Sequence, residues 1–290
     1  LKLFLNFLVK TEKLHFMNSK LLVVGGLLSG LVAFNSCNDT QTPDNTVATT
    51  PDSKEISLSP FDNPSPAFDN ASLSIADIKA ELQGTDSAKI TIDYKVGNYE
   101  LKSQTPDAAT KGCNNSKDGQ HIHFILNNGP YTALYEPTHT FTIPLDQPQY
   151  VMSFLSRSYH ESLKHKPAAQ LLHFKVGKSG KIENLEIPQT PMIFYSRPKG
   201  DYVGKENTDN LLLDFYLWNT NLTNQNLKVK VQINQQEFNL DSWQPMFIKY
   251  APMGELKVTL SLVDTAGNVL SGDNTSVSRS SRLALQEPIK

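Results

Sequence analysis

Two histidines spaced two apart lie in the run Gln120-His121-Ile122-His123-Phe124-Ile125-Leu126-Asn127-Asn128, which is followed at once by Gly129-Pro130-Tyr131. In an extended strand alternate side chains share a face, so His121, His123 and Ile125 point one way while Gln120, Ile122, Phe124 and Leu126 point the other. Neutral imidazoles placed like this can both ligate one metal ion when a third group joins them. The polar stretch from Ser156 to His165 offers that group, with His160 as the candidate third ligand and Glu161 as its helper. The ion implied is copper or zinc. The plainer alternative has His121 and His123 lining a polar patch or hydrogen-bonded inside the fold. His139, His165 and His173 read as surface or edge residues.

A second chemical cluster, Arg197, Lys199, Asp201 and Tyr202, mixes charged and aromatic groups in one loop. Arg197, Lys199 and Tyr202 are ligand-binding candidates; the structural alternative is an interdomain contact in which Arg197 pairs with a carboxylate. Tyr216, Trp218 and Trp243 could stack on a sugar, although such residues commonly fill sandwich cores. Signs of catalysis are missing from the pattern. There is no Gly-x-Ser-x-Gly elbow and no glycine-rich phosphate loop, and carboxylate pairs could be drawn almost anywhere. The chain therefore reads as a non-catalytic binding protein. Cys113, in Lys111-Gly112-Cys113-Asn114-Asn115, reads as a lone loop thiol with nothing beside it to activate a thiolate.

The elements that must position these residues are short, alternating and separated by turn residues. Lys89 to Val96 alternates cleanly; Tyr131 to Tyr135, His139 to Leu145, Tyr150 to Ser156 and Leu171 to Val176 follow the histidine run. Leu211 to Trp218, Lys228 to Ile233, Gln236 to Leu240 and Lys257 to Val263 repeat the pattern further on. Strands at this spacing indicate an all-β protein of two Ig-like antiparallel β-sandwich domains, about 67–178 and 181–290, with a hinge near Ile187-Pro188 and Pro191. Short helices could intrude at Ile75 to Leu82 and Glu161 to Leu172. Asn127-Asn128-Gly129 is a hairpin turn, since Asn and Gly tolerate positive φ, and Pro130 places the end of the histidine strand at a sandwich rim.

Ahead of the sandwiches, Met17, Lys20 and the apolar run Leu21 to Phe34 have the layout of a secretory signal. That run is too short to span a bilayer, which takes about 20 apolar residues. Phe34-Asn35-Ser36-Cys37 resembles a bacterial lipobox, making 1–36 upstream residues and signal peptide and Cys37 the lipidation site. Asn38 after the cysteine fits passage to the outer membrane. Residues 37–66, rich in Thr, Asp, Asn, Pro and Ser, then form a disordered tether. The formal net charge of −2 becomes more negative once Lys2, Lys10, Lys13 and Lys20 are set aside with the leader. Nucleic acid is excluded as a partner, because phosphate contacts need clustered Lys or Arg.

Three motifs occur in one order: Gly119-Gln120-His121-Ile122-His123-Phe124-Ile125-Leu126-Asn127-Asn128-Gly129-Pro130-Tyr131, then Tyr159-His160-Glu161-Ser162, then Tyr195-Ser196-Arg197-Pro198-Lys199-Gly200 with Leu213-Asp214-Phe215-Tyr216-Leu217. In these the chain resembles a family of uncharacterised bacterial exported lipoproteins, some of whose members carry the automatic label phosphopeptide-binding protein. The resemblance implies export and a lipid anchor. The expectation is thus a lipid-anchored binding or interaction module of the cell envelope, on the outer membrane, needing no cofactor and taking a protein or glycan ligand. The alternative is a periplasmic copper or zinc protein that uses His121, His123 and His160.

Overall fold

Strong period-2 patterning is realised as seventeen strands in a computed structural model that describes residues 54–222 and 226–286. The expected signal peptide, the expected lipidation site Cys37 and the first part of the expected tether lie outside the described residues. In chain order the first strands are β1 (Ser57–Pro60), β2 (Ser72–Gln83), β3 (Ser87–Gly97), β4 (His121–Leu126), β5 (Thr132–Leu134) and β6 (Thr138–Pro144). They are followed by β7 (Gln149–Ser156), β8 (Ala169–Val176), β9 (Ile182–Asn184), β10 (Met192–Arg197), β11 (Gly200–Val203) and β12 (Asn210–Trp218). The last are β13 (Lys228–Ile233), β14 (Gln236–Leu240), β15 (Met246–Lys249), β16 (Gly254–Val263) and β17 (Ser276–Ala284).

Four sheets result: β2-β3-β6, β5-β4-β7-β8-β9, β1-β15-β12-β10 and β11-β17-β16-β13-β14. The first two enclose a core of Leu73, Ile90, Ile92, Ile122, Phe124, Val151, Leu155 and Phe174. The other two enclose Ile193, Tyr195, Leu213, Phe215, Val231, Ile248, Val258 and Leu260. Both are β-sandwiches, as the strand spacing predicts. A third core decides how they meet: Ile125, Met152, Phe154, Ala169 and Leu171 from the β4-β7-β8 face pack against Met192, Phe194 and Tyr216 from the β10-β12 face. The middle sheets are therefore covered on both faces. This is why β7 reads as an almost unbroken buried run: Val151 and Leu155 serve the first core, whereas Met152 and Phe154 serve the shared one.

Several expectations change. The tether ends earlier than 66, because β1 pairs antiparallel with β15 from Ser57↔Lys249 to Pro60↔Met246, and Leu58 packs on the second core. An edge strand with open backbone groups gives this polar segment hydrogen bonds that its own composition does not suggest. The first sandwich runs past 178, since β9 pairs with β8 through Phe174↔Asn184 to Val176↔Ile182. Ile75 to Leu82 is strand, with a bulge between Ile75 and Asp77, and the only helical turn between Glu161 and Leu172 among the described residues is the 3-10 segment Lys166–Ala168. One pair is parallel, β11 with β17, in an otherwise antiparallel fold. Nor does the histidine strand end at an open rim. Asn127 and Asn128 take positive φ as the turn requires, and Asn128 then bonds the free edge of β10, donating to the Ile193 carbonyl (2.8 Å) and accepting from the Tyr195 amide (3.0 Å).

Candidate metal centre

β4 lies between β5 and β7, and its alternation sends Ile122 and Phe124 into the first core while His121 and His123 face the second sandwich. Both histidines are fully buried. The third imidazole arrives from the tight loop after β7. The Arg157 amide donates to the Glu161 carbonyl (2.9 Å) and the His160 amide to the Arg157 carbonyl (2.9 Å), so the chain reverses within a few residues. The reversal holds His160 at φ 71°, a left-handed conformation that non-glycine residues seldom adopt. Its ring is thereby aimed back at β4. His121 Nε2 lies 2.9 Å from His123 Nε2 and 3.1 Å from His160 Nδ1, and one nitrogen from each of the three rings falls within 4.8 Å of the others.

The outer nitrogens determine what the inner ones can do. His121 Nδ1 is 2.8 Å from the Gly119 carbonyl, which only accepts, so the neutral ring carries its proton there and presents a bare lone pair at Nε2. His123 Nδ1 faces the Ser196 hydroxyl at 3.0 Å, a group that donates or accepts. If Ser196 donates to Nδ1, His123 Nε2 donates to His121; if Ser196 accepts from Nδ1, His123 Nε2 would be free to join His121 and His160 in holding an ion. Tyr131 Oη lies 3.2 Å from His160 Nδ1. Burial holds all three imidazoles neutral. It lowers His121 to about 4, against the Gly119 bond that favours its charged form, and lowers His123 and His160 well below the usual histidine value. The charges of Arg197 and Lys199 act in the same direction on all three.

Arg197, Lys199 and Tyr202 converge on the same place. A bulge in β10 sets Tyr195 opposite Phe215 but Arg197 opposite Asp214, inserting Ser196 as an extra residue. Bulges re-aim side chains, and here consecutive residues both reach the shared interface: Ser196 touches His123, and the Arg197 guanidinium lies 5.4 Å from the centre of the Tyr131 ring. Tyr131 stacks on His123 at 3.7 Å and carries the Lys199 ammonium 4.4 Å from its ring centre. Tyr202 Oη accepts from Arg197 Nη1 (2.9 Å) and from the Lys199 amide (3.0 Å). The expected pairing of Arg197 with a carboxylate does not occur among the described residues. Asp214, opposite it in the ladder, is instead bonded to Lys164 (2.6 Å) and to the Ser162 hydroxyl (3.0 Å).

Glu161 is not part of the cluster. Its carboxylate pairs with Arg157 (3.3 Å) and accepts from Ser65, because the loop that turns His160 inward turns its neighbour toward the strap ahead of β2. Tyr131 and Ser196 are the contributors that residue type did not single out. Tyr131 closes the quoted histidine motif and Ser196 lies within the quoted Tyr195–Gly200 motif, but the bulge that aims Ser196 at His123 is invisible to period-2 counting. Cys113 is half-buried and its thiol is pushed up to about 12, chiefly by burial, consistent with an unactivated loop thiol. Tyr216, Trp218 and Trp243 border a cleft of about 400 Å³ with Lys164, but Trp243 Nε1 is committed to the Phe215 carbonyl (2.9 Å) and Tyr216 belongs to the shared core. The seven candidate positions therefore resolve into six around Tyr131 and one, Glu161, directed elsewhere. No protein-family model and no curated protein matches the chain.

Proposed function

We propose that this protein binds a transition-metal ion, zinc or copper, through His121, His123 and His160, as a lipid-anchored component of the bacterial envelope. The observation that carries the reading is the convergence of three buried, neutral imidazole nitrogens, one of which, His121 Nε2, is left bare because the ring's other nitrogen donates to a backbone carbonyl. Tetrahedral Zn–N bonds of about 2.0–2.1 Å put ligand nitrogens roughly 3.3 Å apart. The separations of 2.9 and 3.1 Å open by a few tenths of an ångström on binding, while the third pair, among nitrogens that all lie within 4.8 Å of one another, draws together. Imidazole is a common ligand for both metals, and the anchor follows from the lipobox ending in Cys37.

Titration calorimetry on the detergent-solubilised full chain, stripped with chelator and then given Zn2+ or Cu2+, tests the reading. One ion per chain is expected, with affinity lowered at least about tenfold by His121→Ala. Heat no greater than the buffer blank, or heat unchanged by that substitution, would overturn it.

A further inference from the structure

The positive charge around the three imidazoles is not balanced. Arg197 is 7% exposed and permanently charged, yet its Nε is buried without a hydrogen-bond partner and no carboxylate among the described residues pairs with it. Its Nη1 donates to the Tyr202 hydroxyl. Lys199, two residues on, likewise makes no ion pair among the described residues, and its ammonium rests over the Tyr131 ring. Buried cations are stable when paired and hydrogen-bonded, and a divalent ion on the imidazoles would raise the local charge further. Such a site calls for a negative ligand from outside the chain.

We propose that Arg197 and Lys199 hold a small, doubly charged oxyanion that completes the coordination of the metal bound by His121, His123 and His160. The inference rests on the metal reading above and names the chemistry of the group that joins it. Three histidines leave an ion such as zinc with at least one open position. The Arg197 guanidinium, over the Tyr131 ring that stacks on His123, offers N–H groups in a fixed fork, which suits the paired oxygens of a phosphate or carboxylate. Two charges on the anion follow from two cationic side chains that have no counter-ion. The ligand is small, or is the head of a larger molecule, because His121 and His123 are fully buried and His160 and Arg197 are each 7% exposed. Lys199 is the more exposed cation of the pair and marks the side of entry.

The test uses the full chain loaded with Co2+, whose visible spectrum reports its ligand set, titrated with phosphate and, separately, malonate. A saturable spectral shift with phosphate identifies a tetrahedral oxyanion site; a shift with malonate identifies a dicarboxylate site. In either case Arg197→Gln is expected to weaken the anion about tenfold or more while leaving the cobalt bands in place. Lys199→Gln, at the more exposed position, is expected to weaken it severalfold. Cobalt bands that neither anion moves, or shifts that survive both substitutions unchanged, would overturn the oxyanion inference and leave the metal reading intact. Absence of cobalt bands altogether would overturn the metal reading, and the inference with it.

Discussion

Two polar islands lie in the contact between the sandwiches, and they are built on opposite principles. Around Asp214 every charge is met: the carboxylate accepts from the Lys164 ammonium, the Ser162 hydroxyl and the Ser162 amide (3.3 Å). Around Tyr131, by contrast, three neutral imidazoles and two cations are gathered, and no acid among the described residues pairs with either cation. The two islands touch through the β10-β12 ladder, where Arg197 stands opposite Asp214 and does not pair with it. A buried network that is fully satisfied holds a unique packing, whereas one left short of a partner destabilises the fold unless a ligand completes it. The first island therefore reads as structure and the second as a binding site.

The largest difference should appear on acidification. Unfolded histidines take up protons as pH falls through about 6.5, whereas the folded His121 does so only near 4, and His123 and His160 are also lowered. Their contribution is fully present above about 6.5 and is lost progressively below it, at up to about 1.4 kcal/mol per pH unit for each ring. Urea unfolding of the metal-free protein is expected to show several kcal/mol less stability near pH 5 than at pH 7.5. A flat profile would show that the imidazoles are not held neutral.

Next in size is the satisfied island. Asp214→Ala leaves Lys164 and Ser162 without their shared acceptor and is expected to destabilise by about 3 kcal/mol, read by the same unfolding experiment. The smallest effect is expected where the charge has no counter-ion: Arg197→Met keeps the volume and removes the unpaired guanidinium, so stability should change by less than about 1 kcal/mol or rise. A loss at Arg197 equal to that at Asp214 would erase the distinction between the islands.

The Asn127-Asn128 turn, the alternation of β4 and the spacing of β7, β12, β13 and β16 were legible because they are local: steric limits on φ and a period of two act over a handful of residues. Pairing of the Ser57–Pro60 segment with β15 was not, since an edge recruits a partner through backbone groups that carry no side-chain signature. His160 was recognisable as a candidate by type, and Glu161 beside it equally so. Only the loop reversal separates them, sending one toward β4 and the other toward Arg157.

By itself, then, the sequence determined the all-β character and the common face of His121 and His123, because alternation is a property of each strand alone. The tertiary structure decided that this face would be buried against a second sandwich, that a bulge would bring Ser196 and Arg197 to it, and that no acid among the described residues would pair with Arg197. Those outcomes depend on contacts between residues far apart in the chain, where burial and charge balance are set by whatever the partner sheet presents.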